Sequence, residues 1–274
     1  MCHNQNDFHL QVVSEPELAA WIGTIHPAFQ YLIPAHKADH FRGKVLSRYG
    51  GMYLDADSIG FHNFKHLFAR LKDHDVVNID WSSDGDLLAI SVMGPMRANT
   101  KLMRGFVEKQ EVLLHSKLEA FKNHKMGKVN YPLGWAEMLR DIIKPMVENL
   151  LKNKQMKYFK MPGPSTFGQL TASAYNPSTP LNETKQYVIS DTELLMYHNS
   201  AMANDVRKLS LEEMLKSKLL LPTVIRHTMK RCRDNKFADF PLSKEKLRFG
   251  EDVTKIEPGL VKFIVDYTNN LAVD

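Results

Sequence analysis

Short apolar runs alternate with longer amphipathic stretches along the chain, and the spacing of apolar positions predicts the element at each. Phe8 to Val13 (FHLQVV) alternates apolar and polar residues, the period of a strand. Ser14 and Glu17 stand at capping-box spacing ahead of Leu18 to Ile22, so a short helix is expected there. Pro34 is placed as a first-turn proline. After it, Ala38, Phe41, Val45 and Leu46 recur at helical spacing, and Gly50-Gly51 ends that helix. Met52 to Leu54 is short, apolar and β-prone, and it runs straight into Asp55-Ala56-Asp57.

Further on, Asn63 to Leu71 reads as helix, and Asp75 to Asp80 and Leu87 to Met93 read as strands, the second closed by Gly94-Pro95. Ala98 to Phe121 and Gly134 to Lys152 are long amphipathic helices. Tyr158 to Asn182 is rich in Pro, Gly, Ser and Thr and reads as a loop. Glu193 to Tyr197 reads as a late strand, and the chain from Leu209 onward is mainly helical, with a basic cluster from Arg226 to Lys236 that reads as a solvated face. Strands alternate with helices early and helices dominate later. The expected architecture is an α/β core, residues 1–205, with a helical C-terminal extension, residues 206–274, packed on it.

Composition narrows this picture modestly. The 274 residues are 43% hydrophobic and 24% charged, which excludes disordered, collagenous and coiled-coil chains. The net charge of +5 suits a phosphate-bearing small ligand and does not call for nucleic acid. Cys2 and Cys232 are too few for a disulfide framework or a cysteine-rich zinc module. No apolar run reaches transmembrane length and no signal pattern follows Met1, so a cytoplasmic chain without a membrane span is expected.

The best-defined chemistry lies in Tyr49 to Ser58, YGGMYLDADS. Two carboxylates one residue apart point to opposite faces of an extended strand. At a strand's end the backbone turns, and both can then converge on one divalent cation. Hard oxygen ligands suit Mg²⁺ or Mn²⁺, and such an ion can neutralise a diphosphate leaving group. Asp-x-Asp alone is weak: with 17 Asp in the chain, about one occurrence is expected by chance. It occurs at Asp55/Asp57, Asp73/Asp75 and Asp84/Asp86, but only the first follows a Gly-Gly break and an apolar strand. Ligands in parallel-sheet folds bind at the carboxyl ends of strands.

Ala35 to Ser58, AHKADHFRGKVLSRYGGMYLDADS, resembles the glycosyltransferases with a sugar-binding region containing DXD, among them Och1-like mannosyltransferases and capsular polysaccharide transferases. Ala35, Asp39, Arg42, Leu46, Tyr49, Gly50, Gly51, Tyr53, Asp55 and Asp57 carry the likeness. The resemblance implies a GT-A-like, Rossmann-like fold and transfer of a sugar from a nucleotide-diphosphate sugar to an acceptor hydroxyl. It also implies retained anomeric configuration and a metal ion, Mn²⁺ or Mg²⁺. Asp55 and Asp57 would hold metal and diphosphate as the catalytic pair. Asp39, Arg42 and Tyr53 would bind the donor sugar, with His198 a further metal ligand and Ser200 a further substrate contact. Asp39 and Arg42 are three apart on a helix, hence on one face; outside this pattern they would read as a surface ion pair worth under about 1 kcal/mol. Family members open on a strand and loop that cradle the nucleotide base, and this first β-α unit is expected to be absent here.

Three other readings compete. His36, Asp39 and His40 have helix-face metal spacing, but Lys37 stands where a zincin carries Glu, and His62/His66 lack an acidic partner. Leu54 to Ile59 approaches the first motif of haloacid-dehalogenase-like phosphatases, with Asp55 as nucleophile. That motif normally ends the first strand, whereas here about fifty residues and a Gly-Gly break precede it. The non-enzymatic alternative is a catalytically impaired GT-A-like binding module. Met138, Met146 and Met214 are expected in the core.

Overall fold

The computed structural model describes residues 7–55, 58–60, 64–79, 92–124, 131–161, 188–189, 195–197, 208–217, 219–234, 247–248, 261–262 and 264. The chain forms two compact units, one of residues 11–54 and 67–163 and the other of residues 1–10, 55–66 and 164–274.

The first of these units starts with a capping box. The Ser14 N–H and hydroxyl both donate to the Glu17 carboxylate, which holds that carboxyl below its ordinary value and launches α1, Leu18–Ile22. Phe8 to Val13 forms no strand. Its alternation supplies the right faces, but a strand also needs a partner for its backbone groups.

Helix α2, Pro34–Tyr49, begins at its proline and ends at Gly50. Gly50 has φ +69°, and a Cβ there would stand 2.5 Å from the Ala98 amide nitrogen, so only glycine lets the chain turn beneath that segment. Strand β1, Gly51–Leu54, follows at once. Strand β4, Val92–Met96, lies beside it, strand β3, Val76–Ile79, lies beyond β4, and β5, Tyr158–Met161, completes a sheet ordered β1-β4-β3-β5. Strands β1 and β4 are antiparallel, pairing Tyr53 with Met93, while β3 and β5 are parallel, pairing Val77 with Phe159.

Two expectations change here. Strand β4 runs through Gly94-Pro95 to Met96 instead of stopping there. Strand β5 occupies the start of the stretch read as loop, because it completes pairing with a segment some eighty residues earlier. The sheet is mixed, which fits the expected α/β core, and β1 is an edge strand among the described strands.

Helix α3, Lys65–Ala69, precedes β3, and helices α4, Lys101–Asn123, and α5, Arg140–Lys152, cover the sheet. The Thr100 hydroxyl caps α4 by accepting the Met103 N–H. Helix α5 starts at Arg140 rather than Gly134, since Gly134 to Leu139 is spent on turns. Leu46, Val76, Phe106 and Ile143 share one core cluster with Met93, Met96, Met103 and Met156. A second cluster joins Leu18, Phe29, Leu114 and Phe121 to Met138. Methionine thus fills much of the interior, its unbranched thioether fitting gaps that branched side chains leave. Of the two further methionines expected in the core, Met146 is partly buried against the first cluster and Met214 packs in the other unit.

In that other unit, β2, Ser58–Gly60, pairs antiparallel with β7, Leu195–Tyr197, and β6, Val188–Ile189, with β8, Leu247–Arg248. Helices α6, Leu211–Lys216, and α7, Leu220–Arg233, bury Leu215 with Val261 and Ile264. Arg226 departs from the solvated face expected of it. It is 2% exposed, and its guanidinium donates to the carbonyls of Leu215 and Ser217 at 2.7 Å, satisfying the C-terminus of α6. No helix among the described residues is long and apolar enough to cross a membrane.

Candidate functional site

The site is built on the buried face of α2. Asp39 and Arg42 stand three residues apart there, and the Arg42 guanidinium donates to the Asp39 carboxylate at 3.0 Å. Their side chains are only 7% and 4% exposed, so this is not the solvated surface pair that spacing alone would suggest. Tyr53 comes from β1, where the two-residue period turns it toward the helix. Its ring centroid lies 4.5 Å from the Arg42 guanidinium carbon. The geometry is a planar cation laid on an aromatic face with a carboxylate at its edge.

A third element fixes this turn of α2. Gln110, on α4, is fully buried, and its Nε2 donates to the carbonyls of Asp39 at 3.1 Å and Met138 at 2.9 Å. Sequence reading missed Gln110. The signal was present: Leu102, Met103, Phe106, Gln110 and Leu114 form one helical stripe, and Gln110 is its polar member. The approach of α4 requires Gly43, since a Cβ there would lie 2.7 Å from Gln110 Oε1 and 2.9 Å from the Phe106 ring.

Two histidines flank Asp39 on α2. His36 is 1% exposed and stacks on Tyr131, with its Nε2 3.4 Å from the Trp135 carbonyl. His40 is fully buried with neither ring nitrogen hydrogen-bonded, 3.9 Å from the Glu111 carboxylate. Burial depresses the His40 pKa to about 4, the nearby Lys44 ammonium adding to the effect and Glu111 opposing it. Burial lowers His36 and His26 as well. Lys37 points away and pairs with Glu15. Among the described residues no group of three His, Cys, Asp or Glu side chains converges as a metal site.

Asp55 follows Leu54 at the end of β1 and is half-buried. The Ser58 N–H donates to its carbonyl at 3.0 Å. Asp57, His198 and Ser200 lie outside the described residues. Their chain neighbours Ser58 and Tyr197 are direct partners in the β2–β7 ladder. The chemistry of the Asp55 side chain, a hard oxygen donor at a strand end, fits a Mg²⁺- or Mn²⁺-type ion.

The remaining Asp-x-Asp pairs divide. Asp75 is structural: its carboxylate accepts the Lys157 N–H at 2.8 Å and faces Arg97, tying β5 to β3. Asp84 and Asp86 lie outside the described residues.

No curated protein and no solved structure matches the chain. A family does: residues 4–76, which include Asp39, Arg42, Tyr53 and Asp55, match the glycosyltransferase sugar-binding region containing DXD motif.

Proposed function

We propose that the protein is a metal-dependent glycosyltransferase that moves a sugar from a nucleotide-diphosphate donor to a hydroxyl of a glycan or polysaccharide acceptor. The observation that carries this reading is the buried Asp39–Arg42 pair laid on Tyr53 of β1. A carboxylate that accepts and a guanidinium that donates, held rigid in a dry setting, can read the hydroxyls of a sugar ring. Asp39 and Arg42 orient the donor sugar, and Tyr53 fixes the guanidinium plane. Asp55 and Asp57 hold a Mn²⁺ or Mg²⁺ ion, with His198 as a third ligand and Ser200 on the diphosphate. The pairing of Ser58 with Tyr197 supports that grouping, because Asp57 precedes one partner and His198 follows the other. The ion would supply leaving-group stabilisation.

The mechanism assigned is retaining. It needs no protein nucleophile, since the leaving diphosphate can take the proton of the acceptor hydroxyl. The transferase domain extends to about residue 205 in this reading, with the helical stretch 206–274 as its C-terminal extension.

Calorimetric titration with UDP- and GDP-sugars, with and without Mn²⁺, tests the proposal. Metal-dependent binding by the wild type, lost in Asp55→Ala/Asp57→Ala and retained in a lysine-to-methionine control at exposed Lys122, is the expected result. A folded wild type that binds no donor under either condition would refute it.

A further inference from the structure

Trp135 is 74% exposed although the chain on both sides of it is anchored. Leu133 and Met138 are buried in the second core cluster. The turn between them is fixed by the Glu137 N–H, which donates to the Gly134 carbonyl at 3.1 Å, and by the Gly134 N–H, which donates to the Glu137 carboxylate at 2.9 Å. Beside the indole lies His36, its ring centroid 6.3 Å away, itself stacked on Tyr131 at 5.5 Å. Tyr131 is held in turn: its hydroxyl accepts the Ile33 N–H at 3.2 Å.

An indole displayed on so constrained a turn offers a flat apolar face that loses little freedom when a ligand covers it. Two residues after Trp135, on the same turn, Glu137 pairs with Lys117 at 3.4 Å, and each side chain is about one-third exposed. An apolar plate with a donor and an acceptor carried this close along the chain suits a pyranose, whose C–H face stacks while its hydroxyls bond to polar groups. A protein partner would want a contiguous apolar patch of several hundred Å². The other large exposed apolar side chains among the described residues, Val12, Val112 and Tyr49, belong to other segments.

The position is continuous with the sugar-reading pair. His36 lies three residues before Asp39, on the same face of α2. Gln110 then bonds the carbonyls of both Asp39 and Met138, so the segment carrying Trp135 follows α2 from His36 to Asp39. One helical turn is about 5.4 Å, close to the span of one sugar ring.

We infer that Trp135 is the stacking platform of an acceptor-sugar subsite, with Glu137 and Lys117 bonding the acceptor's hydroxyls. This rests on the glycosyltransferase reading above. The test is calorimetry of maltohexaose, cellohexaose and α-mannohexaose against the wild type, Trp135→Ala and Trp135→Phe, with UDP and GDP plus Mn²⁺ titrated in parallel. Expected is binding of at least one oligosaccharide, weakened tenfold or more in Trp135→Ala and less in Trp135→Phe, with nucleotide binding unchanged. A wild type that binds none of the three, or that binds them equally well without Trp135, overturns the subsite. Saccharide binding that depends on Trp135 in a protein that binds no nucleotide would uphold the subsite and overturn the transfer reaction instead.

Discussion

Replacing His40 by leucine should flatten the acid side of the stability profile. His40 is fully buried with no hydrogen bond to either ring nitrogen, and its folded pKa is about 4 against an ordinary 6.5. Between those values the unfolded chain binds the proton and the folded chain does not. Stability therefore rises with pH across that window, is fully present above about 6.5, and falls as the pH drops toward 4. Two and a half units correspond to about 3 kcal/mol in total, and about 2 kcal/mol of it is lost between pH 7 and pH 5. His40→Leu removes that loss. At pH 7 the variant should be no less stable, because two unbonded nitrogens give way to methyl groups beside the Phe29 ring. Urea unfolding at pH 7 and pH 5, followed by fluorescence, measures the difference, and NMR titration of the ring reads its protonation directly. Parallel pH profiles for wild type and variant, or a His40 ring already protonated at pH 5.5, would refute the reasoning.

Two further outcomes follow from the α2–α4 contact and the ion pair. Gly43→Ala pushes a methyl group into Gln110 and Phe106, and thermal unfolding should show a loss of about 1–3 kcal/mol; an unchanged midpoint would mean that the helices part without strain. Asp39→Leu or Arg42→Met alone strands a buried charge and should cost about 3–5 kcal/mol, whereas the double replacement should cost less than either single one. Additive losses in that cycle would show that the two side chains do not share one buried environment.

Much of the scaffold around the site was legible because it is local. The capping box at Ser14, the proline start of α2, the Gly50 stop and the strand into Asp55 each follow from neighbours within a few residues. The spacing of Asp39 and Arg42 was legible for the same reason. Their burial was not, because it is imposed by Tyr53 from β1 and by α4, whose pairing with α2 no local pattern specifies. Strand β5 was missed on the same ground: YFKM becomes a strand by completing a ladder with Val76–Ile79. Phe8 to Val13 shows the converse, since good alternation without a partner leaves no strand. Gln110 stood in plain view as a polar residue within an apolar stripe, yet its partners, two carbonyls from distant segments, are defined only by the fold.

The methionine-filled interior gives the protein a chemical clock. A thioether is oxidised by peroxide when solvent reaches it, and the sulfoxide is too polar to repack. Met93, Met96, Met103 and Met138 are each at most 1% exposed and divide between both clusters of their unit. Their sulfur atoms stay reduced while that unit is closed, and each opening exposes them to permanent marking. Peptide-by-peptide mass spectrometry after a timed peroxide pulse would therefore rank the openings of the two clusters separately, without label, ligand or assay of activity.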